Sequence, residues 1–283
     1  VCAARFIENA EQCSLYRVHA VPDPIKLEEL GLDLRGVGLS LPKGIPQPIV
    51  FKRLLDELGQ RSNGWLYKQL ILRSMQQAFY TPKNQGHFGI GLERYMHFTS
   101  PIRRYPDLLV HRAIKAILRG DLSRLPGLDQ LEDFGERCSS LERRAESAGW
   151  TVEAWLKCDL LKHRTGDTFS GTIAGVTEFG LFVDIEGYFV QGLLHISDLG
   201  ADYFRFERAQ QCLVGERNGK RYGLGDRVQV LVANVEPAQG KIDLRRVGGG
   251  AKPDGFKSNK GIKQSNKSAG KASKKHRRGR RSA

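Results

Sequence analysis

Nothing in the 283 residues approaches the roughly 18 consecutive apolar residues that a membrane-crossing helix needs. No signal-peptide pattern precedes the first polar residues either. No membrane partner is therefore expected, and a cytoplasmic location is. Cysteine is scarce and scattered: Cys2, Cys13, Cys138, Cys158 and Cys212, an odd set without a Cys-x-x-Cys pair. That pattern excludes a disulfide frame and a zinc ribbon and reads as reduced thiols. The acids Asp129, Glu132, Asp133 and Glu136 share one helical face but have no histidine or second acidic strand beside them. They read as solvated surface, and no metal ligand is assigned. An initiator Met is also missing at Val1, so a processed chain or a piece of a longer protein is expected.

Charge, by contrast, is abundant and unevenly shared. Of the net +14, the stretch Ala251–Ala283 holds +11, from 12 Lys and Arg against Asp254, which leaves +3 for the first 250 residues. The high pI therefore belongs to the tail. Residues 248–283 alternate Lys, Ser, Gly, Asn and Arg and lack the apolar surface to offset ordering entropy, so a disordered tail is expected. Its densest run includes Lys274, Lys275, Arg277 and Arg278. Such a polycation binds nucleic acid without sequence preference and with steep salt dependence; the alternative is a solubilising tail.

Two further zones precede the tail. Residues 1–164 read as largely helical. Leu131, Phe134, Cys138, Leu141, Ala145, Ala148, Val152 and Trp155 recur at alternating intervals of three and four, the seam of one long helix starting near Pro126-Gly127. Tyr80–Gly86 reads as a turn and His87–Leu92 as a strand. Residues 165–247 switch to short alternating strands with glycine punctuation, around Phe169–Ile173, Phe179–Ile185, Tyr188–Ile196, Arg227–Val232 and Lys241–Leu244. Five such strands in about 80 residues suggest a small Greek-key barrel.

The most informative string is His97-Phe98-Thr99-Ser100-Pro101-Ile102-Arg103-Arg104-Tyr105-Pro106-Asp107. Ser100 suits a helix N-cap and Pro101 the first helical position, which would put Arg103 and Arg104 in the first turn. Free backbone N–H groups there already favour anions, and two guanidinium groups hold phosphate in fixed geometry. The competing reading is an i,i+4 pair between Arg103 and Asp107 on a solvated face.

This string resembles the active-site signature of the ribonuclease II/R (RNB) family. The likeness continues through Leu72-Arg73-Ser74-Met75, Gly86-His87-Phe88-Gly89, Glu142-Arg143-Arg144-Ala145 and Trp155-Leu156-Lys157-Cys158-Asp159. The barrel zone is similar to the S1 RNA-binding domain, an OB-fold, through Gly166-x-x-x-x-Gly171, Phe179-Gly180-x-Phe182-Val183, Gly192-Leu193-Leu194-His195-Ile196-Ser197 and Leu224-Gly225-Asp226. The expected fold is α+β: a largely helical RNB portion over 1–164, an S1 barrel over 165–247 and the basic tail over 248–283.

The resemblance implies a hydrolytic, processive 3′→5′ exoribonuclease that releases nucleoside 5′-monophosphates from single-stranded and structured RNA. It implies Mg2+ held by aspartates, but the family's aspartate-rich segment has no counterpart in this chain. Arg103 and Arg104 become the catalytic candidates, with Ser100 beside them on the RNA. Phe179, Phe182 and His195 become the stacking face, and Glu236 and Lys241 take the places of the family's Asp and Arg, one residue further apart. Where relatives carry Arg-Asp, this chain has Trp150-Thr151. No role is assigned to Glu142 or Glu146. Association with the ribosome and a monomeric state are expected. The alternative is a non-catalytic module that tethers RNA or the ribosome through barrel and tail.

Overall fold

The computed structural model describes residues 1–248, except 36, 37, 43, 45 and 62. The tail, with Lys274, Lys275, Arg277 and Arg278, lies outside the described residues. Six helices and ten strands follow in the order α1 (Cys2–Asn9), β1 (Tyr16–Val18), α2 (Pro24–Arg35), α3 (Pro48–Gly59), α4 (Gly64–Ser74), β2 (Phe79–Thr81), α5 (Tyr105–Arg119), α6 (Leu128–Leu161), β3 (Thr168–Thr177), β4 (Gly180–Ile185), β5 (Val190–His195), β6 (Phe204–Glu207), β7 (Cys212–Gly215), β8 (Arg221–Gly223), β9 (Arg227–Glu236) and β10 (Lys241–Arg246). The helical portion followed by a closed barrel is the expected α+β architecture.

Four apolar clusters form among the described residues where apolar spacing meets. In the first, Ile7 of α1, Tyr16 and Val18 of β1, Met96, and Val110 and Ala113 of α5 pack together. The helices α2, α3 and α4 close over Leu30, Leu34, Phe51, Leu54, Leu58 and Ile71. In the barrel, strands run β10-β5-β4-β3-β9 around Ile173, Leu181, Val183, Ile185, Leu194, Val230, Val232 and Leu244. Period-two alternation puts these residues inside and their neighbours outside. Between the expected strands Tyr188–Ile196 and Arg227–Val232 lies a three-stranded sheet, β6-β7-β8, whose four-residue and shorter strands are too brief to announce themselves by pattern. Gln211 and Arg208 from that sheet's turn reach α2, at 2.7 Å from Asp33 and 2.7 Å from Glu29.

The long helix α6 starts where Pro126-Gly127 predicts, with Gly127 as its N-cap, and joins both halves. Leu131 packs with Leu15, Tyr80 and Leu109 at one end, while Cys158 and Leu161 enter the barrel core at the other. The expected seam is buried only in its first part. Leu141, Val152 and Trp155 are exposed, because the middle of α6 stands clear of the first core and meets the barrel through a different face.

Two local expectations fail. His87–Leu92 is no strand: Phe88–Ile90 is a 3-10 turn closed by the left-handed Gly91, and His87 only bridges to His19 and Leu92. Tyr80 and Thr81 belong to β2, paired antiparallel with β1, and not to the turn. Glycines at 89 and 91 shorten what looked like alternation into a turn.

Candidate nucleic-acid interface

The segment before α5 is not the helix start that Ser100-Pro101 suggests. The helix begins at Tyr105, with Arg104 as N-cap and Pro106 in the first turn. Ser100 closes the preceding turn through its backbone, its carbonyl accepting from the N–H groups of Arg103 (3.3 Å) and Arg104 (3.0 Å). Pro106 suits an N-terminal helical position as well as Pro101 does, and the buried Asp107 of the first turn favours the later start.

Asp107 organises this turn. It is fully buried, and its Oδ1 accepts the Ser100 N–H at 2.8 Å and Arg104 Nη2 at 2.9 Å. The i,i+3 ion pair therefore involves Arg104, not Arg103 as the competing sequence reading had it. Asp107 Oδ2 and Arg104 Nε are both buried without a partner. Two more contacts pin the segment. Phe98 stacks on His111 at 4.2 Å, and His111 Nε2 donates to the Phe98 carbonyl at 2.9 Å. Tyr80 Oη lies 2.9 Å from His97 Nδ1. Burial and the nearby Arg104 and Arg17 depress His97 to about 4, while burial pushes the Tyr80 hydroxyl up to about 12. The imidazole is thus neutral at pH 7, and its tautomer sets the direction of the hydrogen bond it shares with the Tyr80 hydroxyl.

Arg103 is left over from this bonding. It is exposed and, among the described residues, makes no ion pair. It stands on the rim of a cleft of about 660 Å3 walled by Arg17, Tyr80, Arg104, Tyr105, Glu142 and Glu146. On the floor, Arg17 Nη1 binds Glu142 Oε2 at 2.5 Å and its guanidinium lies 4.6 Å above the Tyr80 ring. Tyr105, 43% exposed, meets Phe134 edge-on, so it packs and still faces the cleft. The close approach of β2 to α6 depends on Gly135, where a Cβ would sit 2.6 Å from the Tyr80 carbonyl oxygen. Beside it Ser139 Oγ accepts the Tyr80 N–H at 2.9 Å and donates to the Gly135 carbonyl at 2.7 Å. Sequence reasoning noted Glu142 as a residue for the RNA channel without a catalytic role, and it did not reach Arg17. The i,i+4 spacing of Glu142 and Glu146 on α6 was the available signal; the partnership with Arg17, far away in sequence, was not visible.

On the barrel, Phe179 is half exposed at the entrance to β4 and meets Phe182 edge-on at 6.0 Å. His195 lies beside them, opposite Gly180 across β4–β5. A side chain at Gly180 is excluded, since a Cβ would stand 2.5 Å from the Leu194 carbonyl oxygen. His195 Nδ1 accepts the Ser197 N–H at 3.2 Å, which fixes the ring over the turn that follows β5. The barrel's register extends this face: Phe182 pairs with Leu193, Leu193 with Asp243, and Asp243 with Asn234. Lys241 pairs with Glu236 at the far end, its Nζ 2.8 Å from Gln239 Oε1. The structure thus separates two groups of the expected site residues. Ser100, Arg103 and Arg104 sit at the cleft, and Phe179, Phe182, His195 and Lys241 on the barrel.

Among the described residues no group of three or more His, Cys, Asp or Glu side chains is placed to hold a metal ion. Two carboxylates near the cleft are already bound, Asp107 to Arg104 and Glu142 to Arg17, and Glu146 is a single further acid there. The residues present therefore do not form the carboxylate cage that Mg2+ requires.

Residues 1–120 match the RNB domain family and residues 162–246 the S1 RNA binding domain family. The chain thus holds a segment that matches the RNB domain family, followed by one that matches the S1 RNA binding domain family. Among its relatives are ribonuclease R of Escherichia coli (strain K12), 42% identical over 86% of this chain and 31% of that protein, and ribonuclease R of Vibrio cholerae, 41% identical over 87% and 32%. The chain spans about a third of the length of these relatives. Its fold is similar to Mycoplasma genitalium RNase R in complex with ribose methylated single-stranded RNA, with a TM-score of 0.77 and 28% identity over 87% of this chain and 39% of that one. Yeast Ssd1, a pseudonuclease, shares the fold at 20% identity and a TM-score of 0.62, over 75% of this chain and 27% of that one.

Proposed function

We propose that this chain supplies the phosphate-holding cleft and the S1 face of a hydrolytic, processive 3′→5′ exoribonuclease that releases nucleoside 5′-monophosphates. Residues 1–164 act as the RNB portion, 165–247 as the S1 domain and 248–283 as a basic RNA-binding tail. The observation that carries this reading is the unpaired Arg103 beside an Arg104 that Asp107 holds in place. A rigid turn that leaves one guanidinium free suits a phosphate whose charge grows during hydrolysis. Arg103 contacts the terminal backbone, and Arg104 fixes the turn that presents it. Phe179, Phe182 and His195 stack unpaired bases, each stack contributing about 1–3 kcal/mol without reading sequence. Lys241, Lys274, Lys275, Arg277 and Arg278 add charge along the strand, and the relatives' identity supports RNA as partner, with the ribosome as a second one. Magnesium would supply the activated water in such a reaction, and no group of carboxylates that could hold it occurs among the described residues.

The test uses single-stranded RNA with a photoreactive base at its 3′ terminus. Crosslinks are expected within 98–105 and 141–146; crosslinks confined to other regions would overturn the assignment. A second reading, a non-catalytic RNA tether, draws support from the carboxylates being committed to Arg17 and Arg104. Incubation of the chain with labelled RNA and magnesium separates the two halves of the proposal. RNA binding that falls steeply with salt and no shortening are expected of this chain alone. Stepwise 3′ shortening would show that it carries a complete site.

A further inference from the structure

The barrel face and the Arg103 cleft are two separate contacts, and one exposed tryptophan stands between them. Trp150 is 58% exposed on α6. It does not belong to the apolar seam of that helix: it lies nearly opposite Val152 on the wheel and in line with Glu142, Glu146 and Glu153. A large aromatic on a polar, solvent-facing stripe contributes little to the fold. Its surroundings give it a use. One turn before it, Glu146 lines the Arg103 cleft, and two turns before it so does Arg143, an exposed cation without an ion pair among the described residues. On its other side, Trp150 shares a hollow with Gln191, Gly240 and Ile242 of the barrel.

Gln191 is the near end of a row. Alternate residues of β5, namely His195, Leu193 and Gln191, face outward at about 7 Å intervals. His195 lies at the Phe179 end and Gln191 at the α6 end, where its Nε2 donates to Asp184 Oδ1 at 2.8 Å. The outward face of the barrel therefore runs from the phenylalanines to Trp150 without a break, and α6 carries the line on to Arg143, Glu146 and Arg103.

We propose that Trp150 is an RNA-stacking residue, which receives a base of the single strand as it leaves the barrel and descends along α6 to the cleft. An indole offers the widest π-face among side chains and takes any base. The inference rests on the function proposed above and adds to it a path and a binding residue.

The experiment measures affinity of the full chain for oligoadenylates of about 4 and about 12 nucleotides at fixed salt, lengths that bracket an OB-fold's site size. With the longer strand, Trp150→Ala and Trp150→Leu are expected to weaken binding roughly tenfold (about 1.4 kcal/mol), and Trp150→Phe to retain most of it. With the shorter strand, which the barrel alone can hold, all three should match the parent. Equal losses at both lengths, or a Leu variant as good as Phe, would overturn the stacking role. Wild-type affinity in Trp150→Ala, while the Phe179→Ala/His195→Ala variant still binds weakly, would overturn this inference and leave the proposed function standing. If that barrel variant also bound normally, the function itself would fall.

Discussion

Arg104 Nη2 lies 2.9 Å from Oδ1 of Asp107, a carboxylate with no exposed surface, and the same oxygen caps the N–H of Ser100. One buried charge thus ties a helix to the turn that carries Arg103, and the neighbouring arginines acquire different duties.

Removing Arg104 is expected to cost stability, because Asp107 is then buried without its counter-charge. Arg104→Ala should lower the unfolding free energy by about 2–4 kcal/mol, discounted from a fully buried pair because Arg104 keeps some solvent contact. Urea denaturation measures this; an unchanged midpoint would mean the pair does not hold the turn.

Arg103→Ala should behave in the opposite way. Its side chain makes no ion pair among the described residues, so the unfolding free energy stays within about 0.5 kcal/mol of the parent. RNA affinity falls, and Arg103→Lys restores it only in part, since an ammonium cannot make the two parallel bonds of a guanidinium. Full affinity in Arg103→Ala, read by anisotropy, would remove this residue from the interface.

The depressed His97 sets a pH dependence. Its value of about 4 in the folded protein lies below the ordinary 6.5. Between those two values the unfolded chain binds a proton that the folded chain refuses, so stability should fall as pH drops from about 6.5 to about 4. His19 and His87, also lowered by burial, act in the same direction. His97→Gln should flatten the slope of unfolding free energy against pH in that window; an unaltered slope would assign it to other groups.

Gly135→Ala is expected to destabilise the chain by about 1–3 kcal/mol, although alanine is the better helix former. The added methyl would press on the Tyr80 carbonyl and push β2 off α6. Thermal unfolding reads the loss; a stabilised variant would show that β2 yields freely.

Much of the architecture was written in local pattern. Residues around 128 announce a helix through Pro126-Gly127, and the five barrel strands follow from alternation between glycines. What stayed hidden depended on distant partners. Two prolines offered two helix starts, and only the buried Asp107 favours the second. The exposed half of the α6 seam could not be told from a buried one, because periodicity records a face and not its cover. Arg17 and Glu142 are separated by most of a domain, so their union at the cleft floor had no trace in spacing. Phe179, Phe182 and His195, by contrast, lie close together around the β4–β5 pairing, as the likeness to the S1 domain implied.

The 34 residues of α6 make an unbroken rod of about 51 Å anchored at both ends. Substitutions along its exposed middle leave the packing at its two ends in place, but adding or deleting one residue there would swing the whole barrel about 100° around the rod's axis. The aromatic face would then look away from Arg103. Length in that stretch is consequently far less free to drift than composition.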